Sequence, residues 1–475
     1  MTITSPEVIC VDLDGTLVHT DTLYELCILA LKQNLLLIFA LPIWLFKGKA
    51  FFKAKLSSHA EIPTETLLYN DAVIEYLKNK KADGANIYLV TASHQNVANA
   101  VAKHLGFFAD QFGSTEHNNI KGKNKADFLN ARFGEFGYEY IGNDDSDLNV
   151  WESSSRAVVV SENEHLFEKA KKINKDVISL PSLNKSSLKS YFKLMRPHQW
   201  VKNVLILVPL VLSHSVTDVD KVLLSAIGFI LFSLTASGIY VFNDLVDISN
   251  DRVHPIKSKR PIAAGEVSVL HGVVLGLLLW IISLSVAYFN FDFLFLILLG
   301  YIVLNFLYSF LLKRLVLVDV VVLAGFYIIR IITGAVIVKV ALSFWLITFS
   351  LFMFFSLALA KRYSEIALYT RESTEVKGRG YIREDEFITT ILGVASGLVS
   401  VLVMALYIHD DRTRIMYSDS NWLWITIPAL LYWVSRLWLL AHRKLLAEDP
   451  IRFAIRDKES YLIFGVLLFS VFMAL

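Results

Sequence analysis

The sequence predicts two unlike parts: an amino-terminal α/β domain with a parallel sheet and a helical cap, then an all-α polytopic bundle of about nine transmembrane helices. Three observations carry this. At 55% hydrophobic, 19% charged and a mean hydropathy of +0.50, the 475-residue chain is too apolar for an ordinary soluble protein. Nearly every apolar stretch long enough to cross a bilayer lies after about residue 200. Before that point, short β-branched runs alternate with helical patterns, the signature of βα units.

The same composition excludes disorder, collagen and coiled coil. With 46 basic and 44 acidic residues the net charge is +2, so there is no global field and nucleic acid is not an expected partner. Cys10 and Cys27 sit in apolar runs and read as buried thiols without a disulfide framework. The expected boundaries are 1–180 for the α/β domain, 181–195 for a linker and interfacial helix, and 196–475 for the membrane part.

Strands are expected at Val8–Val11, Ile87–Val90, Tyr138–Ile141 and Val158–Val160. The stretch Leu26–Phe46 is long enough to span on paper, but Lys32, Gln33, Asn34 and Pro42 interrupt it. A single crossing there would also put the two halves of one domain on opposite sides of a membrane. It reads as a helical cap insertion resting on the membrane surface, with a helix pair inside the domain as the alternative.

Nine apolar segments follow, near 201–216, 222–242, 267–289, 293–312, 316–338, 341–360, 387–408, 421–441 and 460–475. Basic residues crowd alternate loops: Arg252 to Arg260, Lys313 and Arg314, Lys361 to Arg383 (Arg371 and Lys377 included), and Arg443 to Lys458 (Arg452 included). The opposite loops hold only Lys221, Lys339, Arg412 and Arg414. The positive-inside rule therefore places the basic loops and the amino-terminal domain in the cytoplasm, on the inner (plasma) membrane.

Chemistry concentrates in two places. The first strand delivers Asp12 and Asp14, followed by Gly15, to the carboxyl edge of the sheet, where open α/β folds bind ligands. A second strand ends at Thr91 and a third at Gly142, Asn143, Asp144, Asp145, Ser146 and Asp147. In VDLDGTLV the chain resembles the haloacid dehalogenase superfamily, particularly its phosphoserine-phosphatase-like branch, over about residues 7 to 160. That resemblance implies a phosphatase in which Asp12 attacks phosphorus, Asp14 acts as acid and base, and Thr91 binds phosphate. Lys125 of GKNKADFL would neutralise the phosphoryl group, and Mg2+ would be held by Asp12, Asp14, Asn143 and Asp147. The chain departs from the family at Asn143, where an acid is usual.

The second place is GIYVFNDLVDISNDRVHPIKSKRPIAAG. Asp244, Asp247 and Asp251 fall three and four residues apart, so on a continuous helix they share a face and repel unless a divalent cation bridges them. Arg252, Lys257, Lys259 and Arg260 follow and are suited to phosphate oxygens. NDxxDxxxD followed by RP resembles the UbiA superfamily of intramembrane prenyltransferases over residues 190 to 475. Within it the chain is most similar to the decaprenyl-phosphate phosphoribosyltransferases, through MRPHQWVKN, YSFLLKRLVLVDV, GFYIIRIITGAV, LALAKRYSEI and DPIRFAIRD. The resemblance implies Mg2+ and the diphosphate of phosphoribosyl pyrophosphate on Asp244, Asp247 and Asp251. It also implies a polyprenyl phosphate acceptor drawn from the lipid bilayer, and Lys202, Asn203, Asn243, Arg252, Lys257, Arg260, Lys313, Arg330, Lys361 and Arg362 as substrate-binding candidates. Arg330 stands inside an apolar helix, where a charge is costly. Asp319 occupies a second acidic position at which aromatic prenyltransferases carry a fuller aspartate cluster. The expected function is phosphoribosyl transfer followed by removal of the 5-phosphate. An aromatic polyprenyltransferase and a membrane scaffold with a degenerate phosphatase domain remain as alternatives.

Overall fold

The structure, a computed structural model, describes residues 7–182, 187–367, 379–446, 450–454 and 456–474. Residues 183–186 of the expected linker, Arg371, Lys377 and the side chains of Arg412 and Arg452 lie outside them. By compactness the chain divides into a first unit of residues 1–196 with 240–278, and a second of 197–239 with 279–475.

The first unit is built on a six-stranded parallel sheet, β1 (Val8–Val11), β2 (Asn86–His94), β3 (Asp110–Ser114), β4 (Glu139–Gly142), β5 (Arg156–Val160) and β6 (Val177–Leu180), in the order β3-β2-β1-β4-β5-β6. Alternation along β1 explains its central place. Ile9, Val11 and Leu13 enter one apolar core with Ile87 and Leu89, while Cys10 enters another with Val90, Tyr140 and Trp151. A strand buried on both faces belongs in the middle of a parallel sheet. The register pairs Val11 with Leu89 and with Ile141, so β1 and β4 end nearly level while β2 runs on to His94, carrying Thr91 inside the strand just past the end of β1. The edge strands β3 and β6 are short and were not singled out by hydropathy, DQFGS having no apolar alternation.

Between β1 and β2 the chain forms helices α1 (Thr22–Gln33), α2 (Leu37–Phe46) and α3 (Lys49–His59). Asp21 caps α1 by accepting from the amide of Leu23, and the helix stops at Asn34. The apolar Leu26–Phe46 stretch is thus two helices rather than one. At ten residues α2 is about 15 Å long, half of the ~30 Å of hydrocarbon a span must cross. It leaves Phe39 74%, Ile43 59% and Phe46 93% exposed.

Among the described residues, six helices are long and apolar enough to cross a membrane: Val219–Val246, Val269–Asn290, Val318–Val338, Phe344–Ala367, Asp385–His409 and Ser420–His442. This is fewer than the nine expected. Pro197 and Pro209 shape the first segment into a 3-10 stretch, Pro197–Leu207, and a five-residue helix, Val208–Leu212. Leu294–Phe310 and Lys458–Ala474 are helical but only 17 residues each. In the second unit, Leu357, Tyr363, Val434 and Trp438 share one apolar core. Gly393 permits close approach there, since a Cβ would collide with the Trp438 ring.

Candidate active sites

At the sheet edge, Lys125 reaches in from the helix Lys123–Phe133. Its Nζ lies 3.1 Å from Asp12 Oδ1 and 3.8 Å from Asp147 Oδ1, and it donates to the Tyr140 hydroxyl at 2.7 Å. The lysine is 2% exposed. Burial lowers its proton affinity, but the carboxylates of Asp12 and Asp147 outweigh this and hold it raised, hence charged. Burial raises Asp12, against the pull of Lys125.

Asp14 lies two residues on, with Oδ1 accepting from the Thr22 amide at 2.7 Å and Oδ2 from the Ser93 hydroxyl at 2.7 Å. Burial, reinforced by nearby Asp21, pushes Asp14 up to about 6. Two carboxylates from one turn thus have different surroundings, a cation beside Asp12 and neutral donors on Asp14, which suits them to different roles.

Thr91 is wholly buried and its hydroxyl accepts from the Ser93 amide at 2.9 Å. Gly15, at φ 74°, makes the turn that leads away from Asp14, and a side chain there would collide with Asn143. Asn143 accepts from Thr16 at 3.0 Å. Asp147, expected among the metal residues, is turned inward. Its Oδ2 accepts the amides of Asn143 and Asp144 at 2.9 and 3.1 Å, and its Oδ1 accepts from Tyr140 at 3.0 Å, because it caps the turn after β4.

The acidic segment belongs to the first unit. Asp244 lies two residues before the end of the helix Val219–Val246, Asp247 joins it to the short helix Ile248–Val253, and Asp251 lies in that short helix. Arg260 Nη1 bridges Asp244 Oδ1 at 3.0 Å and Asp251 Oδ2 at 2.5 Å, and Arg196 pairs with Asp244 Oδ1 as well. Lys32 of α1 lies 3.5 Å from Asp247 and donates to the carbonyl of Val246 at 2.9 Å. Asn243 precedes Asp244 in the same helix, and Lys257 is exposed beyond it.

Arg252, expected on phosphate, is instead sequestered. It pairs with both oxygens of Glu25 at 2.6 and 3.0 Å and donates to the Thr66 carbonyl at 3.2 Å, with Glu25 1% and Arg252 3% exposed at the side chain. A charge so paired is unavailable to a ligand.

The remaining candidates, Lys202, Asn203, Lys313, Arg330, Lys361 and Arg362, lie in the second unit. Arg330 is likewise internally paired: it donates to Asn203 Oδ1 at 2.7 Å and to the Tyr301 hydroxyl at 3.0 Å. Arg362 is buried with its Nε 2.8 Å from Asp319, and it also pairs with Glu365. Asp319 is fully buried and accepts from Tyr381 at 2.7 Å. Lys202 lies in the 3-10 stretch, Lys313 in the turn Leu312–Arg314, and Lys361 one residue before Arg362.

Among the described residues no cluster of three or more Asp, Glu, His or Cys is arranged to hold a metal ion. The donors nonetheless fit a hard cation. They are all oxygen, and Asp244 Oδ2 is buried without a hydrogen-bond partner. Arg196 and Arg260 set positive charge against Asp244 and Asp251.

Sequence reasoning missed Ser93, Arg196, Lys32, Glu25 and Lys53. The Lys53 amine donates to the Ala92 carbonyl at 2.6 Å and to Asn119 at 3.2 Å. Arg196 had a signal, standing within MRPHQWVKN.

These features define a multi-pass membrane protein with a phosphatase-like α/β edge and an acidic segment at the end of a membrane-crossing helix. Residues 204–456 match the UbiA prenyltransferase family and residues 9–152 the haloacid dehalogenase-like hydrolases. The chain belongs to the UbiA prenyltransferase family and carries a haloacid dehalogenase-like domain at its amino-terminal side. Both families typically use Mg2+.

The chain is 36% identical over 466 residues to the uncharacterized protein y4nM of Sinorhizobium fredii, across 97% of this chain and 90% of that one. It is 31% identical over 291 residues to the decaprenyl-phosphate phosphoribosyltransferase of Mycobacterium tuberculosis, across 60% of this chain and 93% of the relative. A solved UbiA homolog from Archaeoglobus fulgidus bound to DMAPP and Mg2+ aligns with 59% of this chain and 99% of its own, at 16% identity and a TM-score of 0.44.

Proposed function

We propose that this chain transfers 5-phosphoribosyl from phosphoribosyl pyrophosphate to a polyprenyl phosphate, and that the domain of residues 1–180 then removes the 5-phosphate. The observation that carries the reading is the acidic segment: Asp244 and Asp251 are gathered with Arg196 and Arg260, and Asp247 stands beside Lys32, in a chain similar to decaprenyl-phosphate phosphoribosyltransferases.

In the transfer, the lipid phosphate oxygen attacks C1 of the ribose while the C1–O bond to diphosphate breaks and the diphosphate leaves with the electron pair. No strong base is needed, because the attacking phosphate is already ionised near neutrality. Asp244, Asp247 and Asp251 would hold Mg2+, which supplies charge neutralisation for the departing diphosphate. Arg196 and Arg260 then contribute positive charge to the same oxygens, and catalysis is mainly positioning and electrostatic stabilisation.

The product carries a phosphomonoester on a primary alcohol. Asp12 attacks its phosphorus to form an aspartyl-phosphate, and Asp14, raised to about 6, gives its proton to the departing alkoxide. Lys125 offsets the charge on the phosphoryl oxygens. Asp14 then takes a proton from the water that hydrolyses the intermediate.

Both reactions belong on the cytoplasmic face of the inner membrane by the loop charges, with α2 lying on the bilayer surface. Against prenyl diphosphate as donor stands Asp319, whose burial beneath Arg362, Arg379 and Tyr381 leaves no second open carboxylate cluster there.

Incubating the purified protein and Mg2+ with labelled phosphoribosyl pyrophosphate and polyprenyl phosphate tests the reading. Label entering the lipid fraction is expected. Its absence, with label entering lipid from a prenyl diphosphate and an aromatic acceptor, overturns it.

A further inference from the structure

Helix α1 touches both candidate sites along its length. At its first residue, the Thr22 amide donates to Asp14 Oδ1 at 2.7 Å, and the Thr22 hydroxyl lies 2.8 Å from the Ser93 hydroxyl that donates to Asp14 Oδ2. Three residues on, Glu25 grips Arg252 in the two-point ion pair. In the last turn, Lys32 donates to the Val246 carbonyl and lies 3.5 Å from Asp247.

Glu25, Ile28 and Lys32 are spaced three and four apart, so they share one helix face. Ile28 on that face packs with Val241, Leu245 and Ile248, which flank Asp244 and Asp247. Leu26 and Ala30 on the other side enter the sheet's apolar core. The helix is therefore fixed on both sides, and neither contact can yield cheaply. The Glu25–Arg252 pair is buried, and separating buried partners leaves an uncompensated charge. Arg252 follows Asp251 directly, so a shift of α1 is felt at the carboxylate that Arg260 bridges.

We propose that α1 is a positioning element shared by the two sites, with Glu25 a positioning residue for the acidic segment although it lies in the phosphatase-like part. The inference rests on the assignment of the acidic segment to transfer and of Asp12 and Asp14 to hydrolysis. Movement of the acidic segment on loading is passed through Arg252 to α1, and from Thr22 to the seat of Asp14.

The test uses the full-length protein in lipid nanodiscs, with Glu25→Gln, Arg252→Gln and the double variant. Three quantities are read: kcat and KM for phosphoribosyl pyrophosphate in transfer, hydrolysis of p-nitrophenyl phosphate, and amide exchange over residues 22–33 and 243–253. Arg252→Gln is expected to slow p-nitrophenyl phosphate hydrolysis roughly tenfold, the scale of losing a residue that orients a reacting group. This soluble ester has no need of the acidic segment. Glu25→Gln is expected to raise KM for phosphoribosyl pyrophosphate more than it lowers kcat. Each variant should speed exchange on the far side of the pair, with β4 and β5 unchanged, and the double variant should be no worse than the worse single one.

Unchanged exchange across the pair, or losses that simply add in the double variant, overturns the proposal. So does a fall in folded fraction with unaltered kinetics in the molecules that fold, since that is a purely structural role. If wild type transfers nothing from phosphoribosyl pyrophosphate, the substrate assignment fails, and the exchange and hydrolysis measurements still decide the coupling. Should Glu25→Gln not fold, Glu25→Asp, which keeps the charge and shortens its reach, takes its place in the same measurements.

Discussion

Arg260 Nη1 stands 2.5 Å from Asp251 Oδ2, and the same nitrogen reaches Asp244 Oδ1 at 3.0 Å. One guanidinium thus holds together two carboxylates that would otherwise repel. Arg260→Gln should lower phosphoribosyl transfer by about two orders of magnitude, because it removes both this bridge and a charge for the diphosphate. Arg260→Lys should recover part of the rate, since a single nitrogen makes both carboxylate contacts, but not all of it, since an ammonium lacks the planar fork that meets phosphate oxygens in pairs. Steady-state transfer rates check both.

Asp247→Asn and Asp251→Asn remove charge and keep shape, so transfer should fall by orders of magnitude with little loss of folded protein. Size-exclusion profiles alongside radiolabel incorporation measure this. Full transfer in both variants would remove the acidic segment from the reaction.

The order of the two chemistries follows from the shared 5-phosphate. Donor and lipid product both carry it, so a phosphatase acting first would waste the donor. Asp12→Asn should leave transfer intact and accumulate phosphorylated lipid-linked ribose, whereas Asp247→Asn should abolish both lipid products. Thin-layer chromatography of the lipids with inorganic phosphate release reads the outcome. The same phosphorylated lipid from wild type and Asp12→Asn, with no phosphate released at saturating Mg2+, would give the soluble domain another role.

Lys125 neutralises two buried acids. Lys125→Met should cost about 3–5 kcal/mol of stability at pH 7 to 8, the price of leaving buried carboxylates unpaired. Without the lysine, Asp12 and Asp147 are driven further above their unfolded proton affinity, so the folded variant binds protons that the unfolded chain does not. Its deficit against wild type should therefore grow as pH rises and shrink as pH falls. Thermal unfolding across pH 5 to 8 checks the sign.

The loop charges also fix an orientation. A cysteine at Arg383 should resist impermeant thiol reagents in intact cells, while one at Asp411 should be labelled. The reverse pattern would invert the topology.

How much of this was legible in the sequence depended on distance along the chain. Asp12 and Asp14 could be read because β1 is a short apolar run ending in two acids, and a strand end is a local feature. Lys125, on a helix more than a hundred residues later, could be set beside Asp12 only through what the family resemblance implies. Arg252 could not be read: its partner Glu25 is 227 residues earlier, so locally it resembled any arginine beside a phosphate site. Arg330 drew notice as a charge in an apolar helix, but Asn203 and Tyr301, which satisfy it, lie on other segments. The count of membrane segments exceeded the six long helices because hydropathy registers apolar content, and the Pro197–Leu212 stretch is apolar without being one straight helix.

The first unit is discontinuous in sequence, its residues 1–196 completed by 240–278. During synthesis the sheet can form early, but Glu25 has no arginine to pair with until residue 252 has been made, and the unit is not whole until residue 278. At about 5–20 residues per second the wait from 196 to 278 lasts several seconds to roughly a quarter of a minute. The helix Val219–Val246 must be delivered to the bilayer in that interval. Maturation of the soluble part is thereby tied to membrane insertion, so a chain stalled before residue 252 would present a buried-type carboxylate with no counter-ion and be a natural substrate for quality control.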